Sequence, residues 1–303
     1  MASTATRRTS ALRSARHRSL GKKRWGTKLT LVTASLIVFT PFLWMMSLAF
    51  TPEKEAFGTI NLIPKNPTLG NFSTVLFDAN LMRALLNSAI VAILAVAANC
   101  FFAILAGYAF AMLPFPKSTS LFYLIVSTTA IPGSVTLIPL FLIAKNFPLV
   151  GGNSIFGHGG SGLLDTLAGV ALPYLVMPMN IFLARQFFST SPIELAEAAR
   201  IDGASEWRIF ARIYLPLAKP LVAVVAIFTF TGVWSDFLWP LVVTTSTQMQ
   251  TVQLALARFL TSGNVHYGPL MAGTVIVTLP VLLIFIFNQR NFISGLSDGS
   301  IKG

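Results

Sequence analysis

Cysteine occurs once in 303 residues, at Cys100. A single thiol excludes an intrachain disulfide and any multi-cysteine metal site; inside an apolar run it reads as a packed small residue. Acidic residues are also scarce, with 10 Asp and Glu against 22 Lys and Arg. Charged residues make up 11% of the chain, where soluble domains carry roughly 25%. Histidine is limited to His17, His158 and His266, without metal-ligand spacing. The phosphate-cradling G-x-x-x-x-G-K-[ST] loop is missing, and neither Gly151-Gly152 nor Gly159-Gly160 is followed by the required Lys. Neither G-x-S-x-G nor H-E-x-x-H occurs. No catalytic residue, metal site or cofactor is expected in this chain.

What remains is apolar. Hydrophobic residues make up 54% of the chain and the mean hydropathy is +0.72, so most of the surface must face lipid. A crossing helix needs about 20 mainly apolar residues. Six segments meet or approach that: about 29–50, 85–112, 119–143, 164–187, 217–243 and 268–289. Asp165 and Asp236 make the fourth and fifth less clear-cut. The fold class expected is an all-α polytopic membrane protein with six transmembrane helices.

Charge sets the orientation. The tail 1–28 carries Arg7, Arg8, Arg13, Arg16, Arg18, Lys22, Lys23, Arg24 and Lys28 and no acid. With Lys117, the bases of 185–219 and the two of the C-terminal tail 290–303, one side holds 17 of the 22 bases. Positive charge stays cytoplasmic, which places both termini and the loop after the fourth span inside. Bases beside apolar spans point to membrane lipid and away from nucleic acid. The tail reads as disordered and held loosely by anionic lipid, at about 1 kcal/mol per nearby base. Ser47-Leu48-Ala49 loosely resembles a leader cleavage site, but the preceding apolar run of about 20 residues exceeds the usual h-region. Outside, 51–83 reads as a loop with a short amphipathic helix near 70–80, and 146–163, with six glycines, as a flexible turn.

Between two apolar spans lies SPIELAEAARIDGASEWRIFARIYLPLAKP, residues 191–220. Ser191, Pro192 and Glu194 spell a helix start with a capping box. The helix should end near Asp202-Gly203, where glycine accepts a left-handed backbone. A second helix should begin at Ala204 or Ser205, and Pro216 should turn the chain back into the membrane. Small Ala198 and Ala199, ringed by Glu194, Glu197 and Arg200, suit close approach by another protein. An amphipathic helix lying on the membrane fits the same residues.

Deep charge is costly and marks a cavity or a partner. Asp236, between Trp234 and Trp239, fits either the wall of a solute path or a structural carboxylate near Pro240. Tyr174, Asn180, Asn87 and Asn99 are weaker path candidates, each also explained by helix packing, as are Met177 and Met179. Pro41, Pro132, Pro173, Pro178, Pro240 and Pro280 interrupt the spans and kink helices.

The pattern Glu197-Ala198-Ala199, three residues, Gly203, nine residues, Ile213-Tyr214-Leu215-Pro216 resembles the EAA motif of ABC-importer permeases. Leu172-Pro173-Tyr174, Arg185-Gln186-Phe187-Phe188 and the segment from Trp234 to Pro240 are similar to the carbohydrate-uptake, MalG-like branch, as is the ending from Gln289 to Gly303. Ser235 departs from that branch, which often has asparagine there. The resemblance implies a type I importer permease fold over 29–289, with 191–216 as the coupling loop. It assigns Glu194, Glu197, Ala198, Ala199, Arg200, Asp202 and Gly203 to an ATPase groove, and Gly295, Leu296, Lys302 and Gly303 to a tail between ATPase subunits. It also implies a second, MalF-like permease, two ATP-binding subunits using ATP and Mg, and an extracytoplasmic solute-binding protein. A secondary transporter would need several deep acids, where only Asp236 is clearly deep; a non-transporting scaffold is the remaining alternative.

Overall fold

The computed structural model describes residues 3–56, 62–260 and 265–297, with side chains for 25–56, 62–77, 79–260 and 265–287. Among the described residues the structure is helical, without strands. Three helices are long and apolar enough to cross a membrane, and three bent pairs pass that test jointly.

Helix α1 (Ser3–Ala49) contains the first crossing segment, Trp25–Ala49. The tail expected to be disordered is drawn as helical backbone continuing that span. Alanine, leucine and arginine favour helix, and no proline precedes Pro41. The large apolar side chains of the crossing stand open, Ile37 at 67% and Leu36 at 60% exposure, as a lipid-facing helix requires. The loop after α1 holds the short helix Gly70–Ser73, continued by the π turn Thr74–Asp78, close to the expected position.

Helix α2 (Leu81–Met112) crosses at full length and contains a π turn at Asn99–Ala103. The third span is not one straight helix. Helices α3 (Ser118–Ala130) and α4 (Gly133–Lys145) meet at 104°. Pro132 supplies the cause: it lacks an N–H, and Ile131 before it is pushed to extended backbone, φ −80° and ψ 119°. The fourth span is likewise α5 (Leu167–Tyr174) and α6 (Pro178–Ser189), bent by 42°. Thr166 caps α5 by accepting from the Gly169 amide at 3.0 Å.

Helices α7 (Glu194–Ile201) and α8 (Glu206–Leu217) form the polar island, and α8 meets α9 (Lys219–Ser235) at 76°. The fifth span does not run unbroken to 243. It stops at Ser235 and resumes as α10 (Leu238–Val243), because extended Asp236, φ −72° and ψ 131°, ends the helix. After α11 (Val252–Ala257), α12 (Tyr267–Ser297) completes the order.

The centre is α2, packed against α9 on one side and α6 on the other, with α12 joining α9 to α1. Two apolar clusters result. One gathers Leu81, Val91, Tyr174, Trp234, Trp239 and Val277. The second gathers Ile104 and Tyr108 of α2, Phe188 of α6, and Ala196, Ile209, Phe210 and Tyr214 of the island.

The six-glycine loop is a latched turn where looseness was expected. The Asn153 carboxamide donates to the Lys145 and Phe147 carbonyls at 2.8 and 2.9 Å and accepts from the Gly160 amide at 2.7 Å. Gly151, at φ 59°, lies so close to Gly162 that any side chain would strike its backbone. Asp165 then fixes the neighbouring loop, accepting from the Thr245 amide at 3.0 Å and the Ser246 amide at 2.9 Å. Burial pushes its carboxyl up, but the bonds from Ser246 and Thr245 outweigh that and hold it below the ordinary aspartate value.

Close packing of α2 on α6 depends on Gly107. A Cβ there would fall on the Ala184 side chain and within 2.7 Å of the Arg185 amide nitrogen. Gly107→Val should lower the thermal midpoint in detergent, at a cost of about 1–3 kcal/mol for overpacking. Gly232→Ala, which meets nothing within 4 Å, should leave the midpoint unchanged.

Candidate functional site

The island is built from two short helices joined by a specific stop. Helix α7 ends with the Gly203 amide donating to the Arg200 carbonyl at 3.0 Å and the Ala204 amide to the Ala199 carbonyl at 2.9 Å. These are the two bonds of a Schellman stop, and Gly203 takes φ 78° as expected. Its Cβ position is open space, so glycine is required there by conformation and not by crowding.

The expected capping box does not form. Ile193 holds the N-cap position without a side-chain cap, and the Ser191 hydroxyl instead donates backwards to the Phe187 carbonyl at 3.1 Å. Ser191 stands two residues before that N-cap, with its hydroxyl and its amide both bonded back to the end of α6 at Phe187 and Phe188.

Three contacts hold the island together and, through Tyr108, mount it on the spans. The Tyr214 hydroxyl donates to the Pro192 carbonyl at 2.8 Å, tying the last part of the island to its first; burial pushes this hydroxyl's pKa up, so it remains a donor at neutral pH. Tyr108 of α2 packs against Phe188, Phe210 and Tyr214, with ring centroids 5.5, 4.9 and 5.5 Å away. Ala196 is fully buried against this cluster. The third contact is the ion pair from Arg200 Nε to Glu206 Oε1, at 2.6 Å.

The outer face is left free. Glu194, Glu197, Ala198, Asp202 and Gly203 are exposed and Ala199 half-buried. Ile201, at 87%, is the most exposed large apolar residue among those described, and Trp207 stands at 59%. Arg200 differs from expectation: its guanidinium is engaged inside the island by Glu206.

Within the spans a second polar group surrounds Asn99, which is fully buried. Its amide donates to the carbonyls of Ala95 at 2.9 Å and Tyr174 at 2.6 Å. Its oxygen accepts from the Met177 amide at 2.8 Å and from Asn180 Nδ2 at 2.9 Å. Asn180 continues to the Thr229 hydroxyl at 2.8 Å. Beside this network the Tyr174 hydroxyl donates to Asp236, whose second oxygen accepts from the Leu238 amide at 2.8 Å. The Trp234 and Trp239 indoles are both buried, donating to the carbonyls of Val277 at 3.0 Å and Val170 at 3.1 Å.

Of the path candidates, Asn180, Trp234 and Trp239 are buried and hydrogen-bonded between helices, and Tyr174 and Asp236 form a pair at two helix breaks. Asn87 anchors the loop before α11 through the Gln248 and Gln250 carbonyls at 2.8 and 2.9 Å. Sequence reasoning underrated Asn99, since an isolated Asn in an apolar run gives no sign of its partners. Gly295 and Leu296 lie on the helical backbone of α12; Lys302 and Gly303 lie outside the described residues.

Broken apolar helices joined to a polar helix pair define a helical membrane component. The chain belongs to the family described as binding-protein-dependent transport system inner membrane component, whose profile matches residues 101–296. It is 35% identical to the arabinooligosaccharides transport system permease protein AraQ of Halalkalibacterium halodurans, over 92% of this chain and 96% of that protein. It is 30% identical to the diacetylchitobiose uptake system permease protein NgcG of Streptomyces coelicolor, over 90% of this chain and 87% of that one. Its fold matches a chain of a bacterial ABC transporter involved in import of the acidic polysaccharide alginate. There the TM-score is 0.73 at 20% identity, covering 87% of this chain and 94% of the other.

Asn99→Ala should strand the Met177 amide and the Tyr174 carbonyl, at about 1–3 kcal/mol for each buried group left unpaired. The thermal midpoint of Asn99→Ala should fall further than that of Asn180→Ala. Glu206 supplies a pH test. The hydrogen bond from Arg200 holds its carboxyl below the ordinary glutamate value. The pair therefore stabilises the island above the unfolded pKa of about 4.3 and loses that effect as pH falls through the lower folded value. Both side chains are more than a third exposed or close to it, 35% and 44%, which limits the gain to under about 1 kcal/mol. Glu206→Gln should abolish this acid dependence in island proteolysis as the pH falls below about 4.3.

Proposed function

We propose that this chain is the membrane-spanning permease subunit of an ATP-binding-cassette importer for a carbohydrate. One observation carries the reading: the island is fastened to α2 and α6 on its inner face while Glu197, Ala198 and Ile201 stand open on its outer face. Ile193, Leu195, Ile201 and Trp207 all stand exposed on this island outside the spans, and several large apolar side chains open on one element mark an interaction surface. An ATP-hydrolysing partner seated there would move the spans through Tyr214 and Ala196.

In this reading α2 to α10 make the second to fifth of six crossings. The bent pairs each count once, and α8, with Glu206, Arg208 and Arg212, stays outside the lipid. Both termini and the island are cytoplasmic, by the excess of bases on that side, in a bacterial or archaeal inner membrane. A second, related permease completes the path, two ATP-binding subunits use ATP and Mg, and a solute-binding protein delivers from outside. The carbohydrate class follows from relatives named for arabinooligosaccharide and diacetylchitobiose uptake. The ending of α12, with Gly295, Leu296, Lys302 and Gly303, is assigned to contact with the ATP-binding subunits, and the basic tail to anionic lipid.

The test is uptake in proteoliposomes holding this chain with its companion subunits. Uptake should require ATP and all subunits. Glu197→Ala and Gly203→Ala should lose it while inserting normally; the second forces a left-handed residue to carry a side chain, at about 1–2 kcal/mol. Gradient-driven uptake by this chain alone, or full uptake by both variants, would refute the assignment.

A further inference from the structure

Two tyrosines stand side by side where the island meets the spans, and they differ in how their hydroxyls are met. The Tyr214 hydroxyl donates to the Pro192 carbonyl at 2.8 Å. Tyr108 of α2 is buried with its ring 5.5 Å from that of Tyr214, yet its hydroxyl has no hydrogen-bond partner among the described residues. Its neighbours explain why. Ile104, Met112 and Ala184 are apolar, and Phe188 and Phe210 present rings at 5.5 and 4.9 Å. A phenylalanine would fill the same space without the uncompensated loss of hydration that a buried hydroxyl carries. A buried polar atom left over in this way points to a partner that the present arrangement does not supply.

The surrounding groups indicate which partner that is. The Arg200–Glu206 pair lies within electrostatic reach of the Tyr108 hydroxyl. Arg200 spends its Nε and Nη2 on Glu206 at 2.6 and 3.2 Å, whereas a carboxylate has about four lone-pair sites and keeps room for a further donor. Glu206 also stands four residues before Phe210, whose ring lies on Tyr108, and residues four apart share a helix face. Between Glu206 and the bond that fixes Tyr214, α8 carries the π turn Phe210–Tyr214. There the α-helical ladder is already interrupted, so the first turn of α8 can rotate against the rest with little further loss of hydrogen bonds.

We propose that Tyr108 is a positioning residue of the ATP-driven step: its hydroxyl, unpartnered in the present state, binds the Glu206 carboxylate when a partner seated on the island turns α8 toward α2. The inference rests on the importer reading above and adds a bond that belongs to the driven state alone. An interaction made in one state and missing in the other biases the balance between them, and a charged acceptor makes it one of the stronger kinds. The cost of the stranded hydroxyl falls on the resting state, which keeps that state from being too stable to leave.

Tyr108→Phe keeps the ring and removes only the hydroxyl, and Tyr214→Phe does the same beside it. In detergent without nucleotide, Tyr214→Phe should lower the thermal midpoint of the assembled importer, whereas Tyr108→Phe should not. In proteoliposomes, Tyr108→Phe should raise the ATP concentration for half-maximal uptake about tenfold, as the loss of one hydrogen bond to a charged group predicts. Glu206→Ala should raise it as well, and the double variant no further than the worse single one, because both remove the same bond. A midpoint lowered by Tyr108→Phe, an unchanged ATP requirement, or additive effects of the two substitutions on that requirement would each overturn the inference. ATP-driven uptake by the unaltered importer keeps the importer reading intact in those cases. Uptake independent of ATP would instead remove the reading on which the inference rests.

Discussion

Where the fourth span breaks, the backbone of Tyr174 and Met177 loses its helical partners inside a solvent that has none to give. The carboxamide of Asn99, with two donors and two acceptor positions, answers both at once and binds Ala95 and Asn180 as well. The π turn that starts at Asn99 belongs to the same solution, since it marks an irregular stretch of α2 facing a broken neighbour. The Tyr174–Asp236 pair repeats the device one layer away, joining the break of the fourth span to that of the fifth. An otherwise apolar bundle thus keeps two interrupted spans in fixed relation to α2 through a handful of polar side chains.

This places the irregular positions of the spans next to one another. Straight helices would pack through ridges and grooves and resist sliding. Here the interruptions after α5 and α9 leave short segments on either side of a common polar centre, while α2 and α6 remain tightly joined at Gly107. Movement of one half of the bundle relative to the other can be taken up at the breaks without exposing apolar packing at the joint. That arrangement suits a protein whose two ends must act together while its middle opens.

Much of this architecture was legible in the chain. Runs of about 20 apolar residues have no soluble use, so the spans stood out by length alone, and Asp202-Gly203 marked the helix stop because few residues other than glycine adopt its φ. Interruptions were visible as prolines, but not their size: Pro132 turns the chain through 104°, whereas Pro280 sits inside the continuous α12. The difference lies in tertiary support, which no local pattern encodes. Asp236 breaks a helix with no proline at its position, because its carboxylate is claimed by Tyr174, 62 residues away. Ser191 failed as a cap for a related reason, since its hydroxyl and its amide are both committed to the end of the preceding helix. Glycine abundance misled at 146–163, where the small residues allow backbone to touch backbone and Asn153 fastens the result. The island's motif residues were found by spacing, but the engagement of Arg200 by Glu206 was not, because opposite charges six residues apart become neighbours only after Gly203 has reversed the chain.

The bond from Tyr214 to Pro192 joins positions 22 apart and closes a ring around the island, and its aromatic wall is shared with α2 and α6. A closed ring cannot be stretched from one end. Whatever displaces its rim must carry its base along, as a wrench turns a nut whose flats it already grips, so the stroke arrives at two spans together and undiminished by slack.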